Sequence, residues 1–288
     1  MSQLRSSHDG EYQAARELRV RDTTLESVLR RDRYAVLAAL LLLTVLAWAY
    51  VLWLAKTLSD PAMPGMDMDM TAMTPAIRHW AAPQLLFGFL MWAVMMAGMM
   101  LPTAAPVLLL YARVARQAEA LAKPFAATGW FAGGYLLAWA GFSLLATLLQ
   151  AALSRAALLT PDMASTNDML GGAILIAAGL YQWTSLKERC LANCRSPLSF
   201  LQQHGGFKRQ ALPSLGLGLR HGFYCIGCCW ALMLLLFAGG VMNIAWIAGL
   251  AILVLLEKVL SDGRNVSRMV GAGLIIGGLV LSLQHLPV

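Results

Sequence analysis

Five cysteines, Cys190, Cys194, Cys225, Cys228 and Cys229, fall within forty residues of one another. A thiolate is a nucleophile, half of a redox pair or a ligand for a soft metal. If the chain around them is helical, Cys190 and Cys194 share a face, and so do Cys225 and Cys229. Two thiol pairs from separate segments are then able to meet. Four thiolates suit tetrahedral zinc or an iron–sulfur cluster, whereas two or three suit Cu(I). The spacing Cys225-x-x-Cys228 also permits a dithiol that cycles with a disulfide. Cys228 taken alone reads equally well as a small apolar residue in a helix. His204 and His221 stand in the same region and offer imidazole nitrogens. His221 follows Arg220, however, and a position at the membrane interface, with the polar tip reaching water, accounts for it more simply.

Methionine is the second unevenly spread donor. Of sixteen, Met63, Met66, Met68, Met70 and Met73 crowd one Pro- and Gly-containing stretch, and Met91, Met95, Met96, Met99 and Met100 crowd another. The first group is interleaved with Asp67 and Asp69 in a segment too polar and too broken to bury thioethers in a core. Thioethers select Cu(I) and remain usable where thiols would oxidise. A flexible Met-rich loop can equally be adaptable surface. In the second group Met91, Met95 and Met99 form one helical stripe, with Met96 and Met100 beside it. Such a stripe serves either as packing between helices or as a ladder of soft ligands. Pro102 and Pro106 follow, and should kink the helix and release backbone carbonyls. His79 stands next to the Met-rich loop, where a lone histidine is more often structural than a ligand.

The elements that position these groups are membrane spans. The 288 residues are 59% hydrophobic and 13% charged, with a mean hydropathy of +0.63, and the apolar residues lie in long uncharged runs. A bilayer core of about 30 Å needs roughly 20 helical residues. Runs at 34–55, 85–112, 125–154, 169–186 and 269–286 each supply a span, and 221–256 is long enough for two. A turn at Gly239-Gly240 and Asn243 divides that run into 222–239 and 242–260, with Glu257 and Lys258 snorkelling to the interface at its end. The expected fold is all-α, a polytopic bundle of about seven transmembrane helices. Were the segment after Gly239 re-entrant, the C-terminus would change sides and the cysteines would not.

With the N-terminus in the cytosol, all but Lys56, Arg78 and Arg155 of the 22 Lys and Arg lie on the cytosolic side, as the positive-inside rule demands. The net charge of +7 is therefore a topology signal, and no nucleic-acid partner is needed to explain it. In this arrangement every cysteine is cytosolic, in a reducing compartment that favours metal binding or redox chemistry over structural disulfides. The chain divides into a basic cytosolic tail at 1–33, a first transmembrane anchor at 34–58, a Met-rich extracytoplasmic loop at 59–84 and a membrane domain at 85–288. The tail carries Glu17/Arg21 and Glu26/Arg30 at helical spacing. It precedes a run too long for a signal peptide, so the first run reads as a retained anchor. Gly129/Gly133, Gly218/Gly222 and Gly273/Gly277 are small residues four apart that allow close helix approach.

Several function classes are excluded by what is missing. The chain has no phosphate-binding G-x-x-x-x-G-K-[ST] loop, no His-Glu-x-x-His zinc protease motif and no Ser-His-Asp arrangement. An intramembrane Asp, Glu or Lys relay is also not apparent. No catalytic residue is assigned, and an enzyme is the less favoured class.

The segment 85–286 resembles the bacterial family of predicted metal-binding integral membrane proteins, a domain of unknown function. The resemblance covers about two thirds of the chain. It rests on Met91-Trp-Ala-Val-Met-Met-Ala-Gly-Met-Met-Leu-Pro102, on Cys190 to Leu201 with its Cys-Arg-Ser-Pro-Leu, and on Arg220-His-Gly-Phe-Tyr-Cys-Ile-Gly-Cys-Cys-Trp-Ala-Leu-Met233. Some members are labelled copper chaperones, so the resemblance implies a multi-pass protein of the bacterial inner membrane that handles a soft metal, most readily Cu(I), with zinc as the alternative. Copper-binding or cuproenzyme-assembly proteins are the partners it implies, besides the lipid bilayer. Two other functions compete: a membrane thiol-redox protein using Cys225 and Cys228, and a non-catalytic assembly subunit with a structural metal.

Overall fold

The computed structural model describes residues 38–53, 56, 82–118, 124–159, 168–208, 210–241, 243–260 and 263–284. Their regular structure is helical. The helices are α1 (Ala38–Trp53), α2 (Ala82–Ala118), α3 (Pro124–Arg155), α4 (Asp168–Tyr181), α5 (Ser185–Arg195), α6 (Pro197–Gln203), α7 (Ala211–Leu234), α8 (Leu236–Gly239), α9 (Ile244–Val259) and α10 (Gly263–Leu283). The basic tail, the Met-rich loop with Met63, Met66, Met68, Met70 and Met73, and His79 lie outside the described residues.

Long uncharged runs become long helices because in hydrocarbon each backbone polar group must find its partner within the helix. Four helices are long and apolar enough to cross a membrane, 82–115, 127–155, 211–239 and 264–283, and a bent pair, 169–181 with 185–195, makes up to five if counted as one span. The expected seven included α1, which is among the shorter apolar helices, and α9, which has 16 residues. Pro102 and Pro106 both lie inside α2, which is continuous through them over 37 residues. The helix α7 starts at Ala211, well before the expected 222, because Ala211 to Leu219 carries no charge and Arg220 alone had interrupted the run. Arg220 is exposed on the helix flank, so the charge does not have to be buried for the helix to run through it. The expected turn at Gly239-Gly240 is present. Gly240 adopts φ 91°, a conformation open to glycine, and Asn243 caps α9 by accepting from the Trp246 N–H.

One break was not anticipated. The fourth run, 169–186, is expected as a single span, but α4 ends at Tyr181 and α5 leaves it at 66°. The Thr184 side chain accepts from Lys187 N and starts α5 afresh. Gln182 meanwhile is turned into the bundle and buried. Helix α5 is polar, with Lys187, Glu188, Arg189 and Arg195, and its buried face carries Lys187, Cys190 and Leu191.

The helices meet in two tightly packed pairs, α3 with α7 and α4 with α10, and α2 packs on α3. Glycine sets both approaches, in a register partly different from the one expected. A Cβ on Gly218 or Gly134 would run into the backbone of the facing helix, at Phe131 and Leu215 respectively, and one on Gly222 would meet Ala138 and Tyr135. Around Gly129, Gly133, Gly273 and Gly277 there is open space. The α4–α10 contact is made instead by Gly172 and Gly179 against Gly278 and Gly271, where a Cβ would lie 2.7–2.9 Å from the opposing carbonyl oxygen. The core between α2, α3 and α7 is filled by Trp92, Met96, Met100, Phe131, Tyr135, Trp139 and Met233.

Candidate thiol centre

Cys225, Cys228 and Cys229 lie on the buried face of α7, in the middle part of the 211–239 span rather than at the start expected from the sequence, and α5 packs against α7 carrying Cys190 and Cys194. All five are free thiols, four of them buried and Cys194 half-buried. Helical spacing turns Cys228 and Cys229 back toward the preceding turn, where both thiols contact the Cys225 carbonyl, at 3.0 and 2.9 Å. The Cys228 Sγ lies 4.0 Å from Cys194 Sγ. The thiol whose position looked most like inert packing is therefore the one facing a sulfur on the other helix. Cys190 Sγ rests on Gly227, so near that a Cβ there would be 2.7 Å from the sulfur. The Tyr181 hydroxyl, at the end of α4, donates to the Gly227 carbonyl and ties the elbow to the same turn of α7.

Cys225, whose thiol adjoins those of Cys194, Cys228 and Cys229, also meets side chains of α3 and α9. Its Sγ is 3.2 Å from the Tyr135 hydroxyl and 3.0 Å from Lys258 Nζ. Lys258 also donates to Thr103 Oγ1 at 3.0 Å, and Thr103 in turn donates to the Met100 carbonyl at 2.8 Å. The Tyr135 hydroxyl lies 3.1 Å from that same carbonyl. Polar contacts thus link the Met-rich turn of α2 to the first thiol of α7.

Two expectations about charge are corrected by these contacts. Glu257 and Lys258 do not snorkel; they are 1% and 9% exposed. Glu257 pairs with Lys187 of α5 at 2.8 Å and accepts from Gln182 Nε2 at 3.1 Å, while Lys187 also donates to Gln182 Oε1. The bundle therefore does hold buried ionisable side chains. Consecutive residues on a helix diverge by about 100°, so Glu257 faces α5 while Lys258 faces α7. The available signal was an acid-base pair ending an apolar run, which interfacial snorkelling explains equally well.

His221, placed at the interface by sequence, is 3% exposed. Rings of Phe131, Tyr135 and Phe200 surround it, with centroids 6.0, 6.0 and 4.9 Å away, and its Nδ1 has no hydrogen-bond partner. The Gly218 and Gly222 approach brings α3 against this face and closes it from solvent. His204 follows α6, with Nδ1 2.7 Å from the Phe200 carbonyl, its ring tilted against Phe200 and edge-on to Tyr224. Met91, Met95, Met96, Met99 and Met100 are all buried, at most 4% exposed. Met95 and Met99 line a narrow apolar crevice with Gly98, Ala47, Trp48, Val51 and Ile247.

Among the described residues no group of three or more His, Cys, Asp or Glu side chains is set to hold a metal ion. What the helices do bring together is Cys194 of α5 and Cys228 of α7, with the Cys225 and Cys229 thiols beside them. With metal–thiolate bonds of about 2.3 Å, two sulfurs on one ion are separated by at most about 4.6 Å. The 4.0 Å between Cys194 and Cys228 falls inside that limit.

A family model named PpoB2, described as copper chaperone, matches residues 89–281. The chain belongs to this copper chaperone family. Its matched region runs from the Met-rich part of α2 into the last turn of α10, and holds all five cysteines together with Tyr135, Lys187, Glu257 and Lys258. The resemblance read from the three sequence motifs is borne out, and copper handling becomes the broad functional class. No curated protein and no solved structure matches the chain. The tail, α1 and the Met-rich loop precede the region that this copper chaperone family shares.

Proposed function

We propose that this chain is an integral membrane protein of the bacterial inner membrane that binds Cu(I) between Cys194 and Cys228 and passes it to or from a partner. The observation that carries this reading is the 4.0 Å approach of two sulfurs from different helices in a member of a copper chaperone family. Cu(I) is a soft ion satisfied by few sulfur ligands, whereas tetrahedral zinc takes four donors. A pair of thiolates supports the former. Drawing the donors from α5 and α7 also supports a carrier, because a shift of α5 removes half the ligand set and lets the ion leave.

The remaining donors extend the route. Met63, Met66, Met68, Met70 and Met73 capture Cu(I) outside, where thioethers survive oxidation. Met91, Met95, Met96, Met99 and Met100 offer soft sulfur along α2, and Cys190, Cys225 and Cys229 surround the receiving pair. Without an energy-coupling motif, movement follows the gradient or the partner, which by this reading is a copper-binding or cuproenzyme-assembly protein.

The direct test loads detergent-purified protein with Cu(I) in the absence of oxygen and measures retained metal. Wild type should keep copper, C194S/C228S should lose it, and C190S should keep it. Negligible copper in wild type and variant alike would sink the proposal. Zinc recovered in place of copper would favour an assembly subunit with a structural metal. The thiol-redox reading relies on Cys225 and Cys228, whereas the sulfur 4.0 Å from Cys228 Sγ belongs to Cys194 on the other helix. Thiol trapping in growing cells should find these cysteines permanently reduced; a trapped disulfide would favour the redox reading.

A further inference from the structure

Lys258 is one residue from the end of α9, where an ammonium would ordinarily turn to water. It turns inward instead, and its Nζ is held 3.0 Å from Cys225 Sγ and 3.0 Å from Thr103 Oγ1. Among the described residues no carboxylate pairs with it, and the adjacent Glu257 is already engaged by Lys187 and Gln182. The surroundings of this buried cation are therefore sulfur and hydroxyl. A cation without a counter-charge is strongly disfavoured inside a bundle, so the negative charge it answers has to come from the thiols.

We infer that Lys258 selects the charge of the metal ion that the thiol centre holds, favouring a monovalent over a divalent ion. The inference rests on the copper reading above. Cu(I) bound by two thiolates carries one net negative charge, and the ammonium beside the thiols brings the buried assembly to neutrality. Zn(II) bound by the same two thiolates is already neutral, and the ammonium then leaves one uncompensated positive charge. Removing the lysine charge reverses the balance, exposing the copper complex and relieving the zinc complex. Thr103 and Tyr135 hold the lysine and Cys225 in place and carry no charge into the balance themselves.

The test uses full-length protein in detergent, with Cu(I) and Zn(II) as the probes and a chelator competition for each. In K258M the Cu(I)-to-Zn(II) affinity ratio should fall by about tenfold or more, within the range that residues beside a metal's ligands command. K258R, which keeps the charge, should hold the wild-type ratio. A merely structural role for Lys258 would weaken both metals together and leave the ratio alone, which would overturn the inference. X-ray absorption on copper-loaded wild type should count two sulfur ligands; three would overturn it too. Should K258M fail to fold, wild type alone decides, because Zn(II) held as tightly as Cu(I) by two sulfurs contradicts the charge argument. Failure of wild type to take up copper would defeat the copper reading instead, and is a different result from copper bound with an unaltered ratio in K258M.

Discussion

Lys187 and Glu257 are 1% and 2% exposed at the side chain and pair at 2.8 Å. Deleting one partner leaves the other charge buried and unanswered, so K187M should destabilise the fold by about 3–5 kcal/mol. Replacing both, as in K187M/E257L, should recover most of that loss, since an apolar pair of similar volume fits the same space. Thermal unfolding in detergent compares the two, and a double variant no more stable than K187M would refute the argument. Y135F removes a hydroxyl that touches both Met100 O and Cys225 Sγ. It should cost about 1 kcal/mol while leaving all five thiols in place, as thiol titration would show. At this scale the donors were legible in the sequence and their surroundings were not. Sulfur announces itself by residue type, but whether Lys258 meets water or Cys225 is decided by a helix 33 residues earlier in the chain.

Helices report themselves through long apolar runs, and α2, α3, α7 and α10 were readable for that reason. Their mutual register was not, because glycines four apart look alike whichever neighbour they face. Gly218 accepts the backbone of α3 at Phe131, whereas Gly273 looks into open space. G218V should therefore destabilise by about 1–3 kcal/mol or more through overpacking, and G273V should leave the unfolding temperature within error. Equal effects of the two would contradict the packing described. The α4–α5 elbow escaped sequence reading for another reason: residues 184–189 contain neither Pro nor Gly to mark a break. Thr184 supplies the break by capping α5, and T184A should cost roughly 0.5–2 kcal/mol. With the elbow in place, Cys190 and Cys194 still share a helix face as expected, but on a separate short helix packed against α7.

As a whole, the molecule is matched by its family's model over residues 89–281, and the section before that lies outside the match. The all-α bundle and the family were legible from motif and hydropathy. The number of crossings is less so, because α1 and α9 are short for a bilayer and bundles tolerate short or tilted spans. Seven crossings from a cytosolic N-terminus predict an external C-terminus. Alkaline phosphatase fused there should be active, and a fluorescent protein fused there dark; the opposite pair of results would refute the seven-span topology. Deleting 61–73 should slow copper uptake from dilute solution and leave the stoichiometry of purified protein unchanged, if that loop gathers the ion ahead of the thiols. The way α5 joins α7 depends on position 227, where one sulfur occupies the volume of a missing methyl group. G227A alters no donor atom and no charge, yet it would evict the sulfur of Cys190 and lift α5, parting Cys194 from Cys228. A hydrogen atom on a residue with no side chain is thus the gauge that spaces the two sulfurs, and this site can be lost at a position that no inventory of ligands would include.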